Sequence, residues 1–385
     1  MSAIETQGTE TVRPASTLEL FFDLVYVFAI TQVARVFHDQ PTFPGLARGL
    51  LLLFLMWWTW SLYTWTTNWT GTSSLPIRLF LIAAMGATLM MSLSVPTAFG
   101  DGAVWFGVSY FMVRVLAGAL YWTGARNHRP PREALLTFLP ISLAGAGLVL
   151  AGGALGARWT GAFWMAAVAV DALSAATAGR GTWAVDAHHF AERNGLFVII
   201  ALGETIVAIG LSAAEVPRDL IHMGALGVAF AGAAALWWSY FASVAPFAEE
   251  TFIATRGKAR GRFARDVYTI LHFPLVVGIV LFAVAAEETV LHPGTPLLAA
   301  WRVAMAVGAS LVMLAVVAGT YRAAKRVPKE RLLAALTLIL LVWVAADLNA
   351  VSFATLVVST LAITLLVERK GDKPAFEAGR PPVEG

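Results

Sequence analysis

The stretch Leu18-Glu19-Leu20-Phe21-Phe22-Asp23-Leu24-Val25-Tyr26-Val27-Phe28-Ala29-Ile30-Thr31 opens an apolar block that runs to about Phe37. A helix rises 1.5 Å per residue, so a block of this length crosses roughly 30 Å, the thickness of a bilayer's hydrocarbon. Glu19, Asp23 and Tyr26 fall at i, i+4 and i+7, on one face of that helix. Two carboxylates inside an otherwise apolar segment of spanning length are expensive, which makes them functional candidates.

Outward from this block the pattern recurs. Apolar segments fall at about 18–37, 46–68, 78–98, 103–123, 133–153, 158–178, 194–214, 222–245, 265–288, 297–320, 331–347 and 350–368. The last two are separated because 331–368 is too long for one span and carries Asp347 and Asn349 at its middle. The composition agrees: 58% of the 385 residues are hydrophobic and 13% are charged, against roughly 25% charged in soluble domains. Mean hydropathy is +0.72. Backbone groups inside a bilayer must be satisfied within the protein, so such blocks are helices; the alternation of a β-barrel is absent. The expected fold is an all-α polytopic membrane protein of about twelve transmembrane helices.

The loops orient it. With the N-terminus in the cytoplasm, cytoplasmic loops hold Arg78, Arg126, Arg129, Arg132, Arg180, Arg193, Arg256, Lys258, Arg260, Arg262, Arg265, Arg322, Lys325, Arg326, Lys329 and Arg331. The opposite side holds Arg35, Arg48, Arg158 and Arg218. Sixteen against four is the asymmetry that sets topology, and it places both termini of a multi-pass protein in the cytoplasm. The net charge of +3 is thereby explained by topology rather than by nucleic acid. Residues 1–16 are polar and lack the features of a cleaved signal, so the first span is expected to direct insertion.

A faint repeat divides the chain. Trp57-Trp58 recurs as Trp237-Trp238, each pair in the second helix of its half; Glu19 and Glu192 open the two halves, and Arg78 and Arg265 precede the third helices. Six spans per half insert both halves the same way up, like the parallel repeats of some transporters. The expected organisation is a cytoplasmic tail (1–16), a six-helix repeat (17–180), a linker (181–193), a second repeat (194–368) and a disordered cytoplasmic tail (369–385).

Other polar residues in the spans are Arg114, Asp171, Glu204 and His272, which with Glu19, Asp23 and Tyr26 form the candidate ion or substrate pathway. His189, Arg193 and Glu204 share one helix face; Arg114 and Asp171 pair with each other or with the acidic residues. His272 precedes Pro274, whose missing N–H leaves a carbonyl free to line a cavity. His189, Glu192 and Arg193 stand at the cytoplasmic mouth. The bland readings are interfacial capping for Glu19, His189, Glu192 and Arg193, a static pair for Arg114 and Asp171, and packing for the tryptophans. Glu287 and Glu288 read as solvated. Asp186, His188, His189 and Glu192 have the right chemistry for zinc but no telling third-ligand spacing, so no metal and no cofactor is expected. There are no cysteines, which excludes disulfides and thiol nucleophiles.

The opening stretch resembles the signature of the low temperature requirement protein A (LtrA) family. So do Trp58, Trp60, Tyr63 and Asn68; Tyr110 and Arg114; His189-Phe190-Ala191-Glu192-Arg193-Asn194-Gly195-Leu196-Phe197 with Leu202-Gly203-Glu204; and His272, Pro274, Gly278 and Glu287. The resemblance implies a bacterial inner-membrane protein. More distantly, Glu19-x-Phe21-Phe22-Asp23 is similar to the Phe-Ser-Asp motif of potassium channels built from two six-helix repeats, with Phe22 where those have Ser and no second copy in the other half. The expected function is movement of an ion or small solute between two pseudo-symmetric halves, with buried carboxylates for gating or proton coupling. Alternatives are a cation channel, an intramembrane enzyme on a lipid-linked substrate, and a non-catalytic organiser; an enzyme is not the first expectation. The partners are then membrane lipids and the transported species, and the plan is compatible with a homo-oligomer.

Overall fold

The computed structural model describes residues 13–127, 132–178, 185–242 and 244–370. Residues 1–12, Arg129, Arg180 and residues 371–385 lie outside the described residues, as do the side chains of Arg126 and Arg132. The fold is all-helical: α1 Thr17–Asp39, α2 Phe43–Thr70, α3 Leu75–Leu93, α4 Ala103–Asn127, α5 Arg132–Ala154, α6 Ala157–Ala178, α7 Ala187–Glu215, α8 Leu220–Phe241, α9 Val244–Ala254, α10 Gly257–Phe263, α11 His272–Leu291, α12 Ala299–Ala324, α13 Lys329–Val344 and α14 Ala350–Lys370. Among the described residues, nine helices are long and apolar enough to cross a membrane, the eighth and ninth of the expected spans being lengthened by α9 and α10. The other three expected spans correspond to the shorter or less apolar α5, α6 and α13.

Burial is inverted relative to a soluble protein. On α1, Phe21 and Leu24 are 56% and 60% exposed, while Glu19 and Asp23 are 1% and 2% exposed. Water would penalise both halves of that arrangement; a bilayer solvates the outer apolar face and forces the charges inward to partners. The centre is α11, in which every residue from Leu275 to Ala286 is buried, as expected of a helix apolar all round. It packs against α7, α8 and α12 and reaches α1 and α2.

Neighbour pairs of the first six helices recur later in the chain, where α11 also packs on α8 and α14, and α12 on α14. In the first half α1 packs on α2 and α3, α3 on α4, α4 on α5, α5 on α6, and α2 on α4 and α6. In the second, α7 packs on α8 and α11, α11 on α12, α12 on α13, α13 on α14, and α8 on α12 and α14. The halves meet through α1 and α2 against α7 and α11. Along that seam Glu19 meets His189, Tyr26 meets Phe197 and Thr31 meets Glu204. Residue numbers rise together on both helices, so α1 and α7 run parallel.

Two helix starts differ from the sequence reading. α7 begins at Ala187 rather than 194, because Asp186 caps it by accepting from the His189 N–H at 3.1 Å, and its polar first turns are buried among partners instead of lying in a linker. Between α10 and α11 the chain forms a π-helix, Ala264–Leu271, a rare form that widens the helix just before Pro274. Its Val267 carbonyl accepts from His272 Nδ1 (2.8 Å) and its Thr269 carbonyl from Trp57 Nε1 (3.1 Å). These carbonyls bind side chains, where the sequence suggested one lining a cavity.

The basic-residue tally is also corrected. Arg193 and Arg331, counted as loop residues, are each 1% exposed. Arg331 grips Glu368 through two bonds (2.6 and 2.8 Å) and Ser239 Oγ (2.7 Å), pinning α13 to α14 and α8. At the opposite end Arg302, absent from the tally, donates to the Val342 carbonyl (2.9 Å) and holds the end of α13. The repeated Trp pairs diverge too. Trp57 is 2% exposed and bonded across the seam, whereas Trp237 and Trp238 are 42% and 45% exposed.

α11 and α12 cross at Gly278 and Gly308, where a Cβ on Gly278 would stand 2.4 Å from the Gly308 carbonyl oxygen. Backbone cannot give way as a flexible side chain can. Gly278→Val is expected to lower stability by about 1–3 kcal/mol or more, read as a drop in the thermal unfolding midpoint in detergent. Gly319→Ala, with nothing within 4 Å of the added atom, is the control and should be neutral. Equal midpoints for the two variants would refute the crossing.

Candidate functional site

The seam between α1 and α7 concentrates the charges. Ser16 caps α1, and Glu19 at the third helical position returns the bond: Glu19 Oε2 accepts from the Ser16 N–H (2.9 Å) and Oγ (2.8 Å). This is the capping box that the first turn of a helix favours. The same carboxylate lies 3.0 Å from Arg193 Nη1 and 3.1 Å from His189 Nε2. Arg193 then spans a helical turn of α1, because its Nη2 donates to Asp23 Oδ1 at 2.7 Å. Trp60 of α2 donates its indole N–H to the same oxygen at 2.8 Å, and its ring lies 5.9 Å from the guanidinium. The other oxygen, Asp23 Oδ2, is buried with no hydrogen-bond partner.

One turn further into α1, the Tyr26 hydroxyl meets Thr59 Oγ1 at 3.0 Å. Beyond it Thr31 Oγ1 donates to Glu204 Oε2 at 2.5 Å; Glu204 is 4% exposed. The cluster is closed at the N-terminal end by the chain preceding α1. Ala15 N–H donates to Glu192 Oε2 (2.8 Å), and Arg13 Nη2 donates to the Thr67 carbonyl (2.8 Å). Neither His189 nor Arg193 is a solvated interfacial residue: their side chains are 0% and 1% exposed.

Asn68 is the partner that the sequence named without a role. Its Oδ1 accepts from the Asp186 N–H (2.9 Å) and its Nδ2 donates to the Asp186 carbonyl (2.9 Å), which fixes the amide's orientation. The same Nδ2 approaches His189 Nδ1 at 3.1 Å. On the other side of the ring Nε2 faces Glu19 and lies 3.5 Å from Arg13 Nη2.

Arg114 and Asp171 stand apart from this seam and pair with each other. Arg114 donates to both carboxylate oxygens (2.7 and 3.0 Å), to Tyr110 OH (2.8 Å) and to the Ser142 carbonyl and hydroxyl (2.8 and 3.0 Å). With both Nη atoms committed, the group ties α4, α5 and α6 together and offers no free fork to an anion. His272 is likewise separate, its Nε2 2.7 Å from Tyr240 OH. The zinc-like set disperses. His188 pairs with Glu249, His189 with Glu19, Glu192 with Ala15, and Asp186 serves as a cap. Glu287 is only partly buried, 4.0 Å from His38, and Glu288 pairs with His292 at 3.0 Å.

An all-helical chain with apolar helices facing outward and paired charges facing inward is an integral membrane protein. The model of the bacterial low temperature requirement A protein (LtrA) family matches residues 14–367, and the chain belongs to that family. It is also similar to an uncharacterized protein of Rhizobium meliloti (strain 1021), 30% identical over 295 residues that cover 72% of this chain and 70% of the relative.

Removing one partner of the Arg114–Asp171 pair leaves a buried charge uncompensated. Asp171→Asn is expected to cost about 3–5 kcal/mol, measured by thermal unfolding in detergent, and the paired replacement Arg114→Met/Asp171→Leu should recover most of it. A single variant as stable as wild type would show that the pair does not hold the helices.

Proposed function

We propose that this protein moves an ion or small solute across the bacterial inner membrane along the seam between α1 and α7, rather than catalysing a reaction. The observation that carries this reading is the placement of Glu19, Asp23, His189, Arg193 and Glu204 on the two facing helices. Ionisable groups in a bilayer are costly, and here they follow one another along a single interface. Arg114–Asp171 and Arg331–Glu368, by contrast, sit inside one half and serve packing.

The reading rests on twelve spans arranged as two parallel six-helix halves with both termini in the cytoplasm. It is supported by the recurring neighbour pairs and by the parallel run of α1 and α7, which requires an even number of crossings between them. Arg13, Arg260, Arg265 and Arg322 gather at the end of the bundle where Glu19 caps α1, as the positive-inside rule expects of the cytoplasmic face.

In this scheme Asp23 and Glu204 carry or gate the moving charge, and His189, Glu192 and Arg193 form the cytoplasmic entrance. Purified protein in liposomes should pass potassium or protons, and Asp23→Asn and Glu204→Gln should reduce that flux to the level of empty vesicles. Wild-type flux in either variant would remove that carboxylate from the pathway. Flux that saturates with concentration favours a carrier, and an unsaturating current favours the channel alternative.

A further inference from the structure

Among the described residues, eleven buried side-chain nitrogen or oxygen atoms have no hydrogen-bond partner, and five of them fall in one cluster. These are Glu19 Oε1, Asp23 Oδ2, Arg193 Nε and the hydroxyls of Thr64 and Thr67. Glu19 Oε1 is answered by an ion pair, 3.0 Å from Arg193 Nη1 and 3.1 Å from His189 Nε2. The other four atoms are left over. Thr64 and Thr67 follow Trp60 at i+4 and i+7, so they share the face of α2 that brings Trp60 to Asp23. Contacts pair Thr59 with Tyr26, Trp60 with Asp23 and Thr72 with Ser16. α2 therefore runs against α1, and the two hydroxyls lie between Asp23 and the segment before α1. At that end half-buried Arg13 donates to the Thr67 carbonyl.

Other threonines of α2 set these two apart. Thr59, Thr66 and Thr70 donate to a carbonyl three or four residues back, at 2.8, 2.8 and 3.0 Å, a common way for a helix to satisfy a buried hydroxyl. Thr64 and Thr67, each 1% exposed, make no such bond. Buried polar atoms without a partner are costly, and internal water commonly serves them. The chemistry of the set selects water. Arg193 Nε can only donate, Asp23 Oδ2 accepts, and a hydroxyl does either. A metal ion could serve the oxygens but not the nitrogen, and among the described residues no three His, Asp or Glu side chains are grouped to hold one. The spacing agrees, since Cβ atoms three or four residues apart on a helix stand about 5–6 Å from each other, a gap that one water spans with two hydrogen bonds of about 2.8 Å. On the far side of Asp23 the seam is closed by rings, Phe197 lying 4.3 Å from Trp60 and 5.2 Å from Trp57 between centroids. The hydroxyls of Tyr26 and Thr59 there are bonded to each other.

We infer that the junction of α1, α2 and α7 between Asp23 and Arg13 is a binding site for a short string of water molecules, held by Asp23 Oδ2, Arg193 Nε and the hydroxyls of Thr64 and Thr67. The inference goes beyond the proposed pathway, because the string is bound whether or not an ion crosses.

The test uses the full-length protein in lipid bilayers, with solid-state NMR reading how fast polarisation passes from water protons to threonine side chains. Transfer to Thr64 and Thr67 should build up faster than to Thr59 and Thr289, which are as deeply buried but donate to carbonyls of their own helices. Equal build-up at all four overturns the inference. A second arm uses the near-isosteric double variant Thr64→Val/Thr67→Val. If the hydroxyls hold water, their loss also strips Asp23 Oδ2 and Arg193 Nε of partners, and the thermal unfolding midpoint in detergent should fall. A hydroxyl left unpartnered in a dry interior is better replaced by a methyl group, so an unchanged or higher midpoint overturns the water site. Neither readout involves flux, so failure of the pathway and failure of the water site are separate results.

Discussion

One guanidinium ties α7 to α1. Arg193 lies between Glu19 and Asp23, with one Nη atom directed to each carboxylate, at 3.0 and 2.7 Å. None of these groups could be carried alone into hydrocarbon, since stripping water from an unpaired charge costs far more than any packing contact returns. The geometry therefore fixes several things at once. It sets the register of α1 against α7, keeps the two helices parallel, and directs the polar face of each toward the other. Trp60 brings α2 to the same carboxylate, and through Trp57 and Trp65 that helix is joined to the π-helix before α11.

The same device recurs elsewhere with a different purpose. Arg114, Arg331 and Arg302 each bind backbone carbonyls of another helix, the first two also forking onto a carboxylate. Five donors in a rigid plane let arginine satisfy a carboxylate and orphan carbonyls together, which suits a protein whose backbone ends and charges cannot turn to water. In these clamps every Nη atom of Arg114 and Arg331 meets a protein acceptor. Both Nη atoms of Arg193 do the same, while Asp23 Oδ2 beside it and Arg114 Nε in the first clamp are buried with no hydrogen-bond partner.

Close packing makes room for this. Gly278 and Gly308 let α11 and α12 touch backbone to backbone, and α11 is buried over three turns. A centre of apolar residues that rigid explains why the polar contacts lie along the edge of α11 and not within it.

The family and the helical membrane class were legible in the sequence. Apolar blocks of spanning length, few charges and the Leu18–Thr31 stretch leave no other fold class, because the bilayer admits helices of that length and little else. Glu19, Asp23, His189, Arg193 and Glu204 were also legible as candidates, since a charge in an apolar block stands out by its cost. Their pairing was not. Helical phase showed that Glu19 and Asp23 share a face and that His189 and Arg193 share another. Nothing in either segment says that the two faces meet, or that Arg114 goes to Asp171 instead. Arg331 read as a loop cation because its neighbours are lysine and glutamate; burial against Ser239 and Glu368, far along the chain, is a property of the assembled bundle. Asn68 matched a family pattern, yet its role depends on an amide turned by the backbone of Asp186. Hydropathy is a local property, so the sequence alone determined the helical membrane class and the residues that break its apolar blocks. Which charges neutralise one another depends on separations across the chain, and only the tertiary structure decided that.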